Sequence, residues 1–451
     1  LAVPIRNISA PGYADDIAVK TDTRAMSVAT ALFFMVGFLT CLNDIVIPHL
    51  KSIFELNYAE VLLVQFAFFS SYFIFSYPGG KLVDRYGYKK SMIIGLLVMA
   101  AGAAGFLPAA YLALFPVFLA ALIVLAAGMT VVQVAVNPYV TVIGPARTAS
   151  SRLNLAQAFN SFGTFIAPFI GGILILGGAT QLTPEKMHSL SAAALQSYRE
   201  VQADTVRLPY IVITVTLVLL AVALAAIKLK PQTGQTDLTQ DFRPGAFAEA
   251  LSRPDTIWRH PWLLAGALGI FTYVGAEVTI GSLLVNYMGL PQIAGLKESV
   301  AANFLMVYWG GAMVGRFLGS AVLQKLRTGP VLGTAGVIAG ILVVTSILTQ
   351  GHFAMFALLA VGFCNSIMFP SIFTLGIQDL GPLTSKGSSL LIASILGGAI
   401  IPELTGALAD KIGLHSAFII PVICYVYIAA FGIAAIKRPQ ASNSLLPMDP
   451  A

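Results

Sequence analysis

Long apolar runs broken by short polar stretches cover most of the chain, at about residues 25–50, 58–82, 91–111, 116–143, 153–177, 208–228, 262–288, 300–323, 330–350, 353–377, 388–408 and 415–436. Each matches the ~20 residues a helix needs to cross the hydrocarbon of a bilayer. The pattern predicts an all-α polytopic membrane protein with twelve transmembrane helices. Two longer breaks interrupt the rhythm, at about 179–207 and 229–261, and the second mixes Pro231, Pro244, Pro254, Gly234 and Gly245 with charges. It divides the chain into six-helix halves, 25–228 and 262–436, with tails at 1–24 and 437–451. Phe247 to Leu251, with Trp258 and Trp262, fit a short interfacial helix that tethers the halves.

Composition agrees. Of 451 residues, 57% are apolar and only 10% charged, against about 25% charged in soluble domains. Mean hydropathy is +0.84, which excludes an ordinary soluble protein. The net charge of +6 matters through its distribution rather than as a sign of nucleic-acid binding. With both ends inside, 20 of the 26 Lys and Arg face the cytoplasm, leaving Lys51, Lys186, Arg199, Arg207, Lys297 and Lys411 outside. That asymmetry predicts both termini on the cytoplasmic side. The first 24 residues form a polar tail without the apolar core of a secretion signal. Cys41, Cys364 and Cys424 have neither disulfide nor metal-site spacing and are expected to be free thiols.

The halves repeat one another weakly, as many secondary transporters do. Gln133, Pro138 and Gly144 recur 232 residues later as Asn365, Pro370 and Gly376. Gly163, Pro168 and Gly172 recur at 234 as Gly397, Pro402 and Gly406, and Arg85 recurs at 231 as Arg316. Asp44 falls opposite Glu277 at 233, so each half carries a carboxylate inside an apolar helix. A charge there costs about 2.5–3.5 kcal/mol on insertion scales and normally faces a bundle interior or an aqueous cavity. The bland reading is a structural ion pair, but no Lys or Arg lies well inside a predicted span to provide it. Asp44 and Glu277 are therefore expected to act in function, whereas Glu403 falls near a helix end.

In the fifth span Asn154, Gln157, Asn160 and Ser161 share one helical face after Arg152. Amides donate and accept hydrogen bonds without net charge, which suits a polyhydroxylated neutral ligand. Gln65, Gln133, Asn137 and Asn365 add further amides inside apolar spans. The structural alternative is bonding between helices, at about 0.6 kcal/mol each, or, for Asn137, to a carbonyl freed by Pro138. Paired glycines at 102 and 105, 171 and 172, and 397 and 398 are expected to serve close helix packing.

The run Gly80-Lys-Leu-Val-Asp84-Arg85-Tyr-Gly87-Tyr-Lys89-Lys90 resembles the inner-loop signature of the major facilitator superfamily, and Gly315-Arg316-Phe-Leu-Gly319 its weaker second copy. The resemblance implies halves that rock about a central cavity, with Asp84, Arg85 and Arg316 in gating. Leu42-Asn43-Asp44-Ile45, Gln65-Phe-Ala-Phe68, Asn137-Pro-Tyr-Val-Thr-Val-Ile-Gly-Pro145 and Arg152-Leu-Asn-Leu-Ala-Gln157 resemble the fucose–proton symporter family. Tyr273-Val-Gly-Ala-Glu277-Val and Thr40-Cys-Leu-Asn-Asp44 resemble its sodium-dependent glucose/galactose branch. This likeness implies Asp44 as the coupling acid and Gln157 and Asn160 as sugar ligands. Fucose members carry a glutamate where Gln133 stands, which argues against simple transfer of their proton mechanism.

The expectation is a monomeric secondary active transporter importing a glucose- or galactose-like monosaccharide with a cation, preferably Na⁺. Its sugar ligands are Gln65, Gln133, Asn137, Gln157, Asn160, Glu277 and Asn365. Cation coupling falls to Asp44, as a Na⁺ ligand, with Asn43 and Glu277. Proton-coupled uptake of fucose or a related sugar is the alternative, followed by a drug exporter of the same fold. No cofactor and no catalysis are expected: the five histidines include no i, i+4 pair, and no phosphate loop ends in Gly-Lys-Ser/Thr.

Overall fold

The computed structural model describes residues 20–54, 58–112, 114–171, 191–228 and 256–438. Side chains at 41–63, 65, 110–112, 168–171, 192–206, 298–299 and 302 lie outside that description. The first span is Thr23–Phe54, opened by Asp22, whose Oδ1 accepts the amides of Arg24 and Ala25 at 3.0 and 3.1 Å. The second and third spans form one run, Tyr58–Leu112, broken at Gly87 (φ 74°, ψ 172°), a conformation that glycine adopts without a Cβ penalty. Gly79 and Gly95 lie at the same level of the fourth span, against Val131 and Val132, so the chain folds back between them.

The remaining spans are Phe115–Val142, Ala149–Gly171, Ala192–Ala226, Pro261–Gly289, Glu298–Lys325 and Thr328–Leu348, then a tenth in two pieces, Gly351–Asn365 and Met368–Gly376. The eleventh is also divided, into Thr384–Ala393 and Gly397–Ile412, and the twelfth is Ile419–Ile436. Among the described residues, nine segments are long and apolar enough to cross a membrane. One is the doubled-back Phe66–Ala109. Ala149–Gly171 and Glu298–Lys325 fall outside that set, the former because its amide face lowers its hydropathy. Together these make twelve passes, and an even number leaves Thr23 and Ile436 on one side, the terminal face.

The sixth helix starts at Ala192, well inside the stretch read as an outer loop, because residues 192–207 hold good helix formers, Ala above all with Gln and Arg, and no Gly or Pro. Residues 229–255, with Phe247 to Leu251, fall outside the description. Trp258 sits exposed in a 3₁₀ turn, Ile257–Arg259, while Trp262 belongs to the seventh span, stacked 4.6 Å from Phe431 with Nε1 donating to the Leu375 carbonyl at 2.9 Å.

Glycines set the tightest contacts. A Cβ at Gly163 would meet the Phe34 backbone, and one at Gly397 the Phe271 backbone, so the first span packs on the fifth and the seventh on the eleventh without side chains between them. Gly102 abuts the Leu125 backbone, and a Cβ at Gly398 would lie 2.9 Å from the Phe69 ring. Gly171 has no described side-chain environment, and Gly172 falls outside the described residues. Cys364 and Cys424 are free, one half-buried and one buried.

Candidate functional site

The amides of the fourth and fifth spans meet. Gln133 Nε2 donates to Tyr72 Oη at 2.9 Å, Asn137 Nδ2 to the Gln133 carbonyl at 2.8 Å, and Gln157 Nε2 approaches Asn137 Oδ1 at 3.5 Å. Asn137 is fully enclosed, while Gln133 and Gln157 keep 9% and 8% exposure. Asn160 Nδ2 spans to the Phe33 carbonyl at 3.0 Å, a helix-to-helix bond that leaves its oxygen and one N–H for a ligand. The repeat partner of Gln133 is more completely used: Asn365 donates to Tyr308 Oη and accepts from Tyr425 Oη, both at 2.8 Å, and has no exposed surface.

Glu277 is buried in the seventh span, and Arg316 Nη2 reaches its Oε1 at 3.7 Å. This corrects the expectation that no basic residue stands within reach. Arg316 starts about two and a half turns from the end of its helix, but its long stem carries the guanidinium inward. Its Nη1 donates to Ser161 of the other half, and its Nε donates to the Ser366 carbonyl at 3.2 Å. Tyr308 Oη donates to the Glu277 carbonyl at 3.3 Å. Tyr273, one turn before Glu277, has a buried hydroxyl with no hydrogen bond of good geometry among the described residues. The two repeat-related arginines thus differ, since Arg85 is exposed at the terminal face, 5.4 Å over Tyr86. Glu403 is exposed. The side chains of Asn43, Asp44 and Gln65 lie outside the described set.

Prolines explain two of these contacts. Pro138 and Pro370 lack an N–H, so the carbonyls four residues earlier, Val134 and Ser366, lose their helical donor. Ser388 Oγ fills the first at 2.9 Å and Arg316 Nε the second. Asn137 takes the neighbouring Gln133 carbonyl rather than the freed one.

Ser388 lies in the other half from Val134, and its contact belongs to a seam that closes the terminal face. Asn154 Nδ2 donates to the Arg316 carbonyl at 2.7 Å, Ser151 Oγ to the Ser320 carbonyl at 2.7 Å, and Ser150 Oγ bonds Thr328 and Thr374 at 2.8 and 2.6 Å. Asn154 and Ser388 are repeat-equivalent at offset 234, so each half donates across the seam to a carbonyl of the other. Ser385 donates to Asp84, and Gly80 packs on Ser389, which places the motif of residues 80–90 in the closure. Arg152 anchors the adjoining turn, donating to the carbonyls of Val140, Thr141, Gly144 and Pro145 and to Thr148 Oγ1 at 2.7–3.2 Å.

Sequence reasoning passed over Tyr72, Tyr308, Tyr425 and the serines at 385 and 388, and it placed Ser161 on the amide face without its partner Arg316. The tyrosines were hidden among many membrane aromatics, although the amide each one serves was visible. Ser388 had a usable signal in its repeat relation to Asn154.

The sequence profile described as the Major Facilitator Superfamily matches residues 26–393. A glucose/galactose transporter of Brucella abortus biovar 1 is 46% identical, over 97% of this chain and 99% of the relative. The L-fucose-proton symporter of Escherichia coli K12 is 36% identical over 92% and 93%. Among solved structures, FucP in the outward conformation superimposes with a TM-score of 0.81 at 34% identity, covering 90% of this chain and 97% of that one.

Proposed function

The chain belongs to the major facilitator superfamily, and from that premise we propose that it imports a neutral hexose of the glucose/galactose kind together with Na⁺ by alternating access. The observation that carries the reading is the 46% identity to a glucose/galactose transporter along nearly the whole chain. The interior amides of Gln133 and Gln157 support it, since neutral donors and acceptors suit sugar hydroxyls. In this reading the sugar lies between that amide pair and Glu277, with Asn160 offering its oxygen; Gln65 is kept as a further expected ligand.

Glu277 is balanced by Arg316, so cation coupling is assigned to Asp44 and Asn43. A carboxylate with amide and carbonyl oxygens is a hard-oxygen site suited to Na⁺. One cation moving inward gains about 2.3 kcal/mol per 100 mV, roughly fiftyfold accumulation. The positive-charge asymmetry supports cytoplasmic termini, and the bacterial relatives support an inner membrane. The terminal-face seam would then seal the cytoplasmic side while sugar enters from outside.

Proton coupling is the second reading, favoured by the L-fucose-proton symporter relative. Proteoliposomes loaded under an inward Na⁺ gradient, or under a K⁺ gradient plus a proton gradient, separate the two. Glucose accumulation under Na⁺ alone, lost in Asp44→Asn while exchange survives, is expected. Accumulation only under the proton gradient would transfer coupling to H⁺, and no glucose uptake under either would remove the hexose assignment.

A further inference from the structure

A cavity of about 380 Å³ opens at the terminal face between the halves, away from the amides. One wall carries Arg147 and Ser150, the other Arg327, Thr374 and Arg438. Asp379 is the single carboxylate in the lining; its Oδ2 is 3.9 Å from Arg438 Nη2 and its side chain is 60% exposed. Three guanidiniums therefore face one well-solvated acid. Arg438 is held against the Trp262 ring at 4.9 Å, and its Nη1 is buried with no hydrogen-bond partner among the described residues.

Other features of the wall reinforce the same sign. The ninth span begins in the lining at Thr328, and its N-cap, Arg327, makes no side-chain cap bond. The amides of that first turn add positive potential to the guanidiniums. Ser150, Thr328 and Thr374 form a hydroxyl cluster in the lining, with Ser150 bonded to both threonines.

A cavity with convergent cations and hydroxyls suits an anion with several acceptor oxygens. A phosphate monoester presents about −1.5 to −2 charge and three strong acceptors, which guanidinium groups bind in a fork. The volume also exceeds a lone phosphate and falls within the range of small-molecule sites, about 300–1,000 Å³. We propose that this seam cavity binds a phosphate monoester and that the anion, touching both halves, holds the terminal face shut. The lining is assembled only when the seam is closed, so a ligand for that form shifts the carrier toward it. The ligand is either a phosphorylated monosaccharide from solution or a phosphatidic-acid headgroup from the leaflet. Binding itself does not depend on the transport reading; only its effect on turnover does.

The test uses the purified full-length protein. Glucose 6-phosphate is titrated in neutral detergent, and phosphatidic acid is compared with neutral lipid in nanodiscs, with unfolding temperature as the readout. A saturable rise with glucose 6-phosphate identifies the soluble source, and a rise with phosphatidic acid alone the lipid source. In the Arg147→Gln/Arg327→Gln variant the half-saturating concentration should rise about tenfold or more. Arg147→Gln alone, at an exposed position, serves if the double variant folds poorly. Stabilisation by neither probe, or equal stabilisation of wild type and variants, overturns the proposal. Glucose uptake by the ligand-free variants should be unchanged, so a failed transport reading is recognised separately.

Discussion

Arg316 and Glu277 face one another at 3.7 Å, Nη2 to Oε1, with side chains only 12% and 11% exposed. The arginine simultaneously touches Ser161 of the opposite half, so the ion pair of one half also reports the position of the other. Opening the terminal face must break the Ser161 contact or carry Arg316 away from Glu277.

Removing one member of a buried pair strands the other, at about 3–5 kcal/mol. Glu277→Ala and Arg316→Ala should each destabilise by that order. The double variant should lose less than their sum, with a coupling energy of about 0.5–3 kcal/mol. Unfolding of the solubilised protein in SDS measures this, and additive losses would mean that the two charges do not sense each other.

Gln133→Ala and Asn365→Ala should separate ligand contact from support. Gln133 retains some exposure, so its loss should raise the half-saturating sugar concentration about tenfold or more. Asn365 is enclosed by two phenols, and its loss strands the Tyr425 hydroxyl, at about 1–3 kcal/mol, while Tyr308 keeps its bond to the Glu277 carbonyl; the loss is seen first as a lower unfolding temperature. Equal effects of the two variants on affinity and stability would contradict the distinction.

Gly80→Leu should wedge the seam apart, because even a Cβ there enters the space of Ser389 Oγ. Spin labels at the exposed positions Tyr86 and Lys386 should shift to longer separations, with uphill uptake lost. Gly310→Ala, where a Cβ meets open space, should leave that distance distribution unchanged.

Arg152→Lys keeps the charge but loses the fork that gathers four carbonyls and a hydroxyl. Hydrogen bonds to a charged group contribute about 1.5–3 kcal/mol each. Arg152→Lys should therefore lower the unfolding temperature, and Arg152→Ala should lower it further. Thermal unfolding in detergent tests the order, and a neutral Arg152→Lys would remove the anchoring role.

The twelve passes were readable because membrane insertion imposes one requirement on every span, about 20 apolar residues. The repeat was readable because prolines and glycines act through the backbone and hold their spacing. Arg316 was not: its Cα lies toward a helix end, and only the reach of its side chain brings the charge to Glu277. The tyrosine partners of Gln133 and Asn365 escaped for a related reason, since which aromatics turn inward depends on packing between helices. The start of the sixth helix was misjudged because hydropathy marks the membrane boundary, whereas helix propensity continued beyond it.

Ser388 satisfies the carbonyl that Pro138 frees in the middle of the fourth span, and it does so from across the seam. When the halves part, that carbonyl has no donor within its own helix. Water is the available replacement, so hydration of the passage and rotation of the halves become a single event. Turnover should then respond to water activity itself, slowing as impermeant osmolyte withdraws solvent from the terminal side.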